Sequence, residues 1–268
     1  MRIRTLLVMC AALLLLPSSG GFAACLLGMA DKTLKLHFAA IPKPPAEGSV
    51  LIRYVGHSSF LIVSPKGVTA VTDYNGIHSP GFPPEIVTMN NSHGTHYTDY
   101  PEQQITHVLR GWSERVGKGL ARHEVTLRDM KVWNVPTNIG EYGDPNGNGN
   151  SIFVFQIANL CIAHLGHLHH LLTRDQLLKL GRVDILFVPV DGSSTLTHPQ
   201  AVAVINQIEP RLVFPMHFGF LGAPDLFFEV AKPFWQIRSA EGSDIVVNRR
   251  NLPRRTEILF LQAGGPVE

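Results

Sequence analysis

The chain opens on a short basic start, MRIRT, followed by the apolar run LLVMCAALLLLP and the small-residue stretch SSGGFAA. That order predicts a secretory signal peptide over residues 1–24, since the apolar run is too short to span a bilayer comfortably as a helix. Residues 25–49 include the Pro-rich spacer AAIPKPPAEGS and read as an arm leading into a domain over 50–268. From Val50 the pattern becomes short and β-rich. VLIRYV, SFLIVS and VTAVTD are separated by GHS and PKG turns, and IVTMN, ITHVLRG and MKVWNVPT add further strands. The stretch 113–124 fits no single element. GEYGDPNGNGN (140–150) is a turn cluster lacking the regularly spaced carboxylates of a calcium loop. SIFVFQIA and LCIAHLG then read as a hairpin about Ala158 and Asn159.

The second half alternates strands with helices. Thr173 and Gln176 have capping-box spacing and open the helix DQLLKL, which Gly181 ends. VDILFVPV is a continuous apolar run suited to a strand covered on both faces. Thr197 and Gln200 repeat the capping box before HPQAVAVINQI, which stops before Pro210. RLVFPMHF, DIVVN and TEILFLQ are further strands. A strand-rich beginning followed by strand–helix alternation predicts an α/β sandwich.

Composition narrows the function classes. A net charge of +2 with only 16% charged residues argues against a nucleic-acid partner. No later stretch is apolar enough for an integral membrane span. After signal cleavage Cys25 and Cys161 remain, and Cys161 reads as a buried strand residue, so a disulfide framework is not expected. FAAC is an imperfect lipobox, with Phe22 where Leu is usual. The chain is therefore expected to be secreted or periplasmic, with a lipid anchor at Cys25 as the alternative to a soluble form.

The chemistry lies in the histidines, 13 in all. His93 and His96 follow IVTMN, His164 and His167 follow LCIA, and His217 ends RLVFPMHF. One histidine at a strand end means little. Five, delivered by three strand ends, are what a metal site needs, because ligands must converge without long flexible reach.

IRYVGHSSFLIV, VTDYNG, VTMNNSHGTHYTD, IFVF with CIAHLGHLHH, VDILFVPVDG and VFPMHF occur in an order that resembles the metallo-β-lactamase superfamily. The resemblance runs from about Leu51 to His217 and is strongest to a branch like L-ascorbate-6-phosphate lactonase. It implies an αββα sandwich with metal at the edge where two sheets meet. It also exposes departures. The family loop H-x-H-x-D-H falls on Asn91 to His96, so its first histidine is Asn91 and its aspartate is Thr95. The middle ligand matches His164, the bridging aspartate is replaced by His167, and the last histidine is His217.

Losing both carboxylates removes charge that would offset paired dications, and a neutral imidazole offers one lone pair to one metal. The expectation is one divalent transition metal, zinc first with iron, manganese or copper as alternatives, held among His93, His96, His164, His167 and His217. His164→Ala and His217→Ala are each expected to lose it. Asp73 is the candidate to orient a ligand or act as base. His57 reads as a turn residue, His169 and His170 as neighbours of the site or surface residues, and His198 as solvent-facing. Asp191 is a candidate to restore negative charge. Segments 76–86, 140–150 and 218–230 read as specificity loops.

The leading function is an exported hydrolase that uses a metal-bound water on an ester, lactone or phosphodiester of small-molecule size. The alternatives are a non-hydrolytic periplasmic metal or redox protein, and a binding scaffold that has lost catalysis.

Overall fold

A computed structural model describes residues 40–113, 119–139, 149–218 and 224–262. The signal peptide, Cys25, most of the arm and nearly all of the turn cluster 140–150 lie outside the described residues. Six strands form the first sheet: β1 (Ser49–Gly56), β2 (Ser59–Val63), β3 (Thr69–Val71), β4 (Ile86–Met89), β5 (His107–Arg110) and β13 (Asp244–Asn248), in the order β13-β1-β2-β3-β4-β5. The second sheet takes β6 (Glu124–Leu127), β7 (Met130–Asn138), β8 (Gly149–Ile157), β9 (Leu160–His164), β10 (Ile185–Pro189), β11 (Leu212–Met216), β12 (Gln236–Ser239) and β14 (Glu257–Phe260). Its order is β12-β14-β11-β10-β9-β8-β7-β6.

Alternation along the strands builds the sandwich. Ile52, Phe60 and Ile62 of the first sheet meet Phe153, Phe155, Phe187 and Phe214 of the second in one buried cluster. Phe60 stacks on Phe187 with centroids 4.1 Å apart, a contact worth about 1 kcal/mol beyond its burial. The opposite face of the second sheet is covered by α1 (Arg174–Leu180), α2 (His198–Ile208) and α3 (Pro224–Ala231). The outer face of the first sheet packs instead on loop residues, Tyr74, Phe82 and Ile105, with Tyr97 and Trp112 beside them. Among the described residues that layer holds no helix.

Local chemistry sets the helix ends as expected. Thr173 and Thr197 accept from the backbone N–H of Gln176 and Gln200, whose side chains return a bond to each cap. Ala158 and Asn159 both take positive φ in the two-residue turn between β8 and β9. Three elements depart from the sequence reading. Residues 224–231 form a helix begun by Pro224 rather than a loop, residues 124–127 form β6, and Gln236–Ser239 form β12. Cys161 is half-buried rather than buried. No helix among the described residues is long and apolar enough to cross a membrane.

Parallel pairing then decides where chemistry can sit. β3 and β4 run parallel in one sheet, and β9, β10 and β11 in the other. Their carboxyl ends meet at one edge of the sandwich, the position where open parallel sheets place their ligand sites.

Candidate metal centre

Six segments reach that edge. His57 lies in the β1–β2 turn, Asp73 follows β3, and Asn91, His93 and His96 follow β4. His164 ends β9 with His167 just beyond, Asp191 follows β10, and His217 follows β11. His57, Asp73 and His217 carry φ values of 51°, 43° and 56°. The backbone turns sharply as each strand ends and aims these side chains inward.

His96 is the hub. Its ring is fully buried, and Nδ1 lies 2.6 Å from Asp73 Oδ2. Asp73 Oδ1 accepts from the Asn90 N–H at 3.0 Å, so both its oxygens are engaged. With Asp73 ionised the His96 proton sits on Nδ1, and the Nε2 lone pair faces outward. It points at His217 Nε2, 3.1 Å away. His217 Nδ1 lies 3.2 Å from Asp191 Oδ1, close enough for charge attraction but outside hydrogen-bonding alignment. Asp191 is held in turn by the Thr195 hydroxyl and the N–H groups of Ser193 and Ser194.

Two triads share His96. In the first, His57, His96 and His217 each offer a nitrogen within 4.8 Å of the others; in the second, His93, His96 and His167 do the same. His57 Nε2 is buried without a hydrogen-bond partner. The His57 carbonyl accepts from the His217 N–H at 2.9 Å and the Tyr54 hydroxyl at 3.0 Å, which fixes the turn against β11. On the outer side, His93 Nδ1 meets the Thr95 hydroxyl at 3.0 Å, and His167 Nδ1 meets His169 Nε2 at 2.7 Å.

His164 is placed differently. Strand register sets it level with Phe153 and Phe187, one layer below His217. Its Nδ1 accepts from the Gly166 N–H at 3.1 Å and faces the Asn90 amide at 3.2 Å, while Nε2 donates to the Ser58 carbonyl at 2.8 Å. Both ring nitrogens are used inside the protein, and His164 belongs to neither triad. Asn91 turns its amide to the Gly149 carbonyl and makes an isolated bridge with Asn150 between the sheets. Gly166 packs so closely on Asn90 that a Cβ would lie 2.4 Å from the Asn90 Cβ.

Burial governs the protonation states. Desolvation, reinforced by neighbouring imidazoles, pushes His57 down to about 3 and His167 to about 2, and holds His96 well below its usual range. Desolvation also raises Asp73 to about 6. Burial alone would raise Asp191, but its interaction with His217 and hydrogen bonds from the Thr195 hydroxyl and the Ser194 N–H keep it low. At neutral pH His57, His96 and His167 are neutral imidazoles, with Asp73 behind His96.

Sequence reading expected His93, His96, His164, His167 and His217 at this edge and favoured a turn role for His57 over a place near the pocket. The signal for His57 was its place between two strands of the sheet that also delivers His96. His198 is not solvent-facing: Nε2 contacts the Val190 carbonyl at 3.2 Å and the ring packs over Gly192. His170 makes local bonds, Nδ1 to the Leu171 carbonyl and Nε2 from the Asn138 N–H.

Comparison with known proteins agrees with this fold. A family model described as a β-lactamase superfamily domain matches residues 51–217. A UPF0173 protein of Pyrococcus abyssi is 27% identical over 186 residues, covering 64% of this chain and 84% of that protein. A UPF0173 metal-dependent hydrolase of Thermococcus onnurineus is 24% identical over 193 residues, covering 63% and 85%. Among solved structures, a metallo-β-lactamase superfamily protein of Thermotoga maritima superposes with a TM-score of 0.59 at 23% identity, covering 79% of this chain and 98% of that one. Igni18, a metallo hydrolase of Ignicoccus hospitalis, superposes with a TM-score of 0.53 at 14% identity, covering 81% and 97%. Fold, motif order and relatives converge, and the chain belongs to the metallo-β-lactamase superfamily.

Proposed function

We propose that this chain is an exported metal-dependent hydrolase of small-molecule esters, lactones or phosphodiesters, working with one divalent transition metal, zinc first. The observation that carries the reading is His96, locked by Asp73 on one nitrogen and presenting the other to His217 at 3.1 Å. The two facing nitrogens share one proton in this buried site, a cation can take that proton's place, and imidazole suits zinc, iron or copper. His96 has one free nitrogen, so it serves one metal at a time. His217, His93 and His167 surround it as further candidate ligands. A bound ion of this kind polarises a substrate oxygen and lowers the pKa of water.

The chain's own residues set the rest. Asp73 fixes the ring and tautomer of His96, and its burial with both oxygens occupied suits positioning rather than proton transfer. The His167–His169 pair lies at the outer side, where it can pass a proton between imidazoles. The relatives named metal-dependent hydrolases support hydrolysis, and the likeness of motifs to L-ascorbate-6-phosphate lactonase supports an ester or lactone substrate. The amino-terminal pattern supports export.

The test is metal content of protein purified without added metal, followed by a panel of ester, lactone and phosphodiester substrates. One ion per chain and turnover of one class is the expected result. Two ions per chain sink the mononuclear reading. An ion without turnover of any class indicates a carrier, and no ion even on adding zinc, manganese or iron indicates a binding scaffold.

A further inference from the structure

We infer that His57 is a metal ligand, and that the seat of the ion is the triad His57, His96 and His217. This rests on the metal-dependent reading above and goes beyond it by choosing between the two triads. His57 Nε2 is buried and unpartnered, a state that is costly unless something satisfies it. Its carbonyl is clamped by the His217 N–H and the Tyr54 hydroxyl, so the ring is held beside His217 with centroids 4.3 Å apart.

The spacing also fits. Nitrogens bound to zinc at about 2.0–2.1 Å in a tetrahedron stand roughly 3.3 Å apart. The His96–His217 separation of 3.1 Å is already such an edge, and a His57 nitrogen lies within 4.8 Å of both.

Charge favours the same triad. Asp73 backs His96 and Asp191 backs His217, so two carboxylates offset one dication across two ligand rings. The outer triad has such support only at the shared His96. His93 is exposed and bonded to Thr95, and His167 leans on the neutral ring of His169. The carboxylate that the family loop would supply at Thr95 is gone. A histidine from the opposite side of the pocket takes over as third donor.

Anomalous diffraction from crystals of the zinc-loaded chain gives the direct answer. The expected zinc peak lies about 2.0–2.1 Å from His57 Nε2. A peak bonded to His93 and His167 but not His57 overturns this assignment and leaves the metal-dependent reading intact; no bound zinc overturns both. In solution, His57→Asn, chosen because Asn tolerates positive φ, should weaken zinc binding at least 100-fold in a chelator competition. His93→Asn should change it less than threefold. Zinc affinity of His57→Asn within threefold of the unaltered chain would also sink the proposal, and near-UV circular dichroism of the zinc-free variant checks that it is folded.

Discussion

At the base of the rim, His164 and Asn91 turn their polar atoms to the protein itself. At the top, His57, His96 and His217 turn nitrogens toward one another. By family resemblance His164 is a ligand and His57 is not, yet His164 has no nitrogen left and His57 has one with no partner. The ligand assignment proposed above follows which lone pairs remain after folding, not motif position. Hydrogen bonds engage His164 and Asn91, while Asp73 and Asp191 stand behind His96 and His217.

The strongest way to break this contrast is His217→Ala. It removes a donor from the upper group, and metal content by emission spectrometry should fall from one ion per chain to none. Acid is a milder probe. Zinc affinity should drop about fourfold between pH 7.5 and 5.5, because Asp73, raised to about 6, takes up a proton and releases its hold on His96.

The zinc-free chain should soften over that range too. Six imidazoles, those of His57, His78, His96, His164, His167 and His169, are held below 6.5 in the fold. Unfolded, they take up protons below 6.5, so the stability they contribute is complete above that pH and is lost on acidification. Asp73, raised from 3.8 to about 6, acts the opposite way, losing stability as pH rises through 4–6. One carboxyl against six rings leaves a net loss, read as a falling thermal midpoint from pH 7 to 5.

Asp73→Asn should weaken zinc about 10–100-fold by releasing the His96 tautomer, with a measurable change in the pH profile of binding. His164→Ala sharpens the comparison most directly. It should cost about 2–4 kcal/mol of stability in urea unfolding, because it opens a cavity and strands Asn90 and the Gly166 N–H. Zinc stoichiometry should stay at one, whereas a ligand role for His164 requires its loss. The smallest effect belongs to Asn91→His. Restoring the family residue should recruit no second ion, since His164 remains engaged below it.

Much of this was legible in the chain. Capping boxes at Thr173 and Thr197 are local chemistry, and the continuous apolar runs of β10 and β11 announced strands covered on both faces. The convergence of His93, His96, His167 and His217 followed from strand ends alone. The exchange of roles between His57 and His164 was not legible, because it depends on register across β8, β9 and β10 and on a turn in one sheet touching a strand end in the other. Helix α3 was missed because PDLFFEVA is short and follows Gly and Pro, which read equally well as a loop.

The left-handed backbone at His57, Asp73 and His217 has a practical consequence. A non-glycine residue in that conformation carries roughly 1 kcal/mol of strain, which asparagine or glycine relieves. A screen of random variants for heat resistance, run without metal or substrate, should therefore enrich Asn and Gly at these positions. Variants that gain melting temperature and forfeit zinc would trace the outline of the site before any substrate is known.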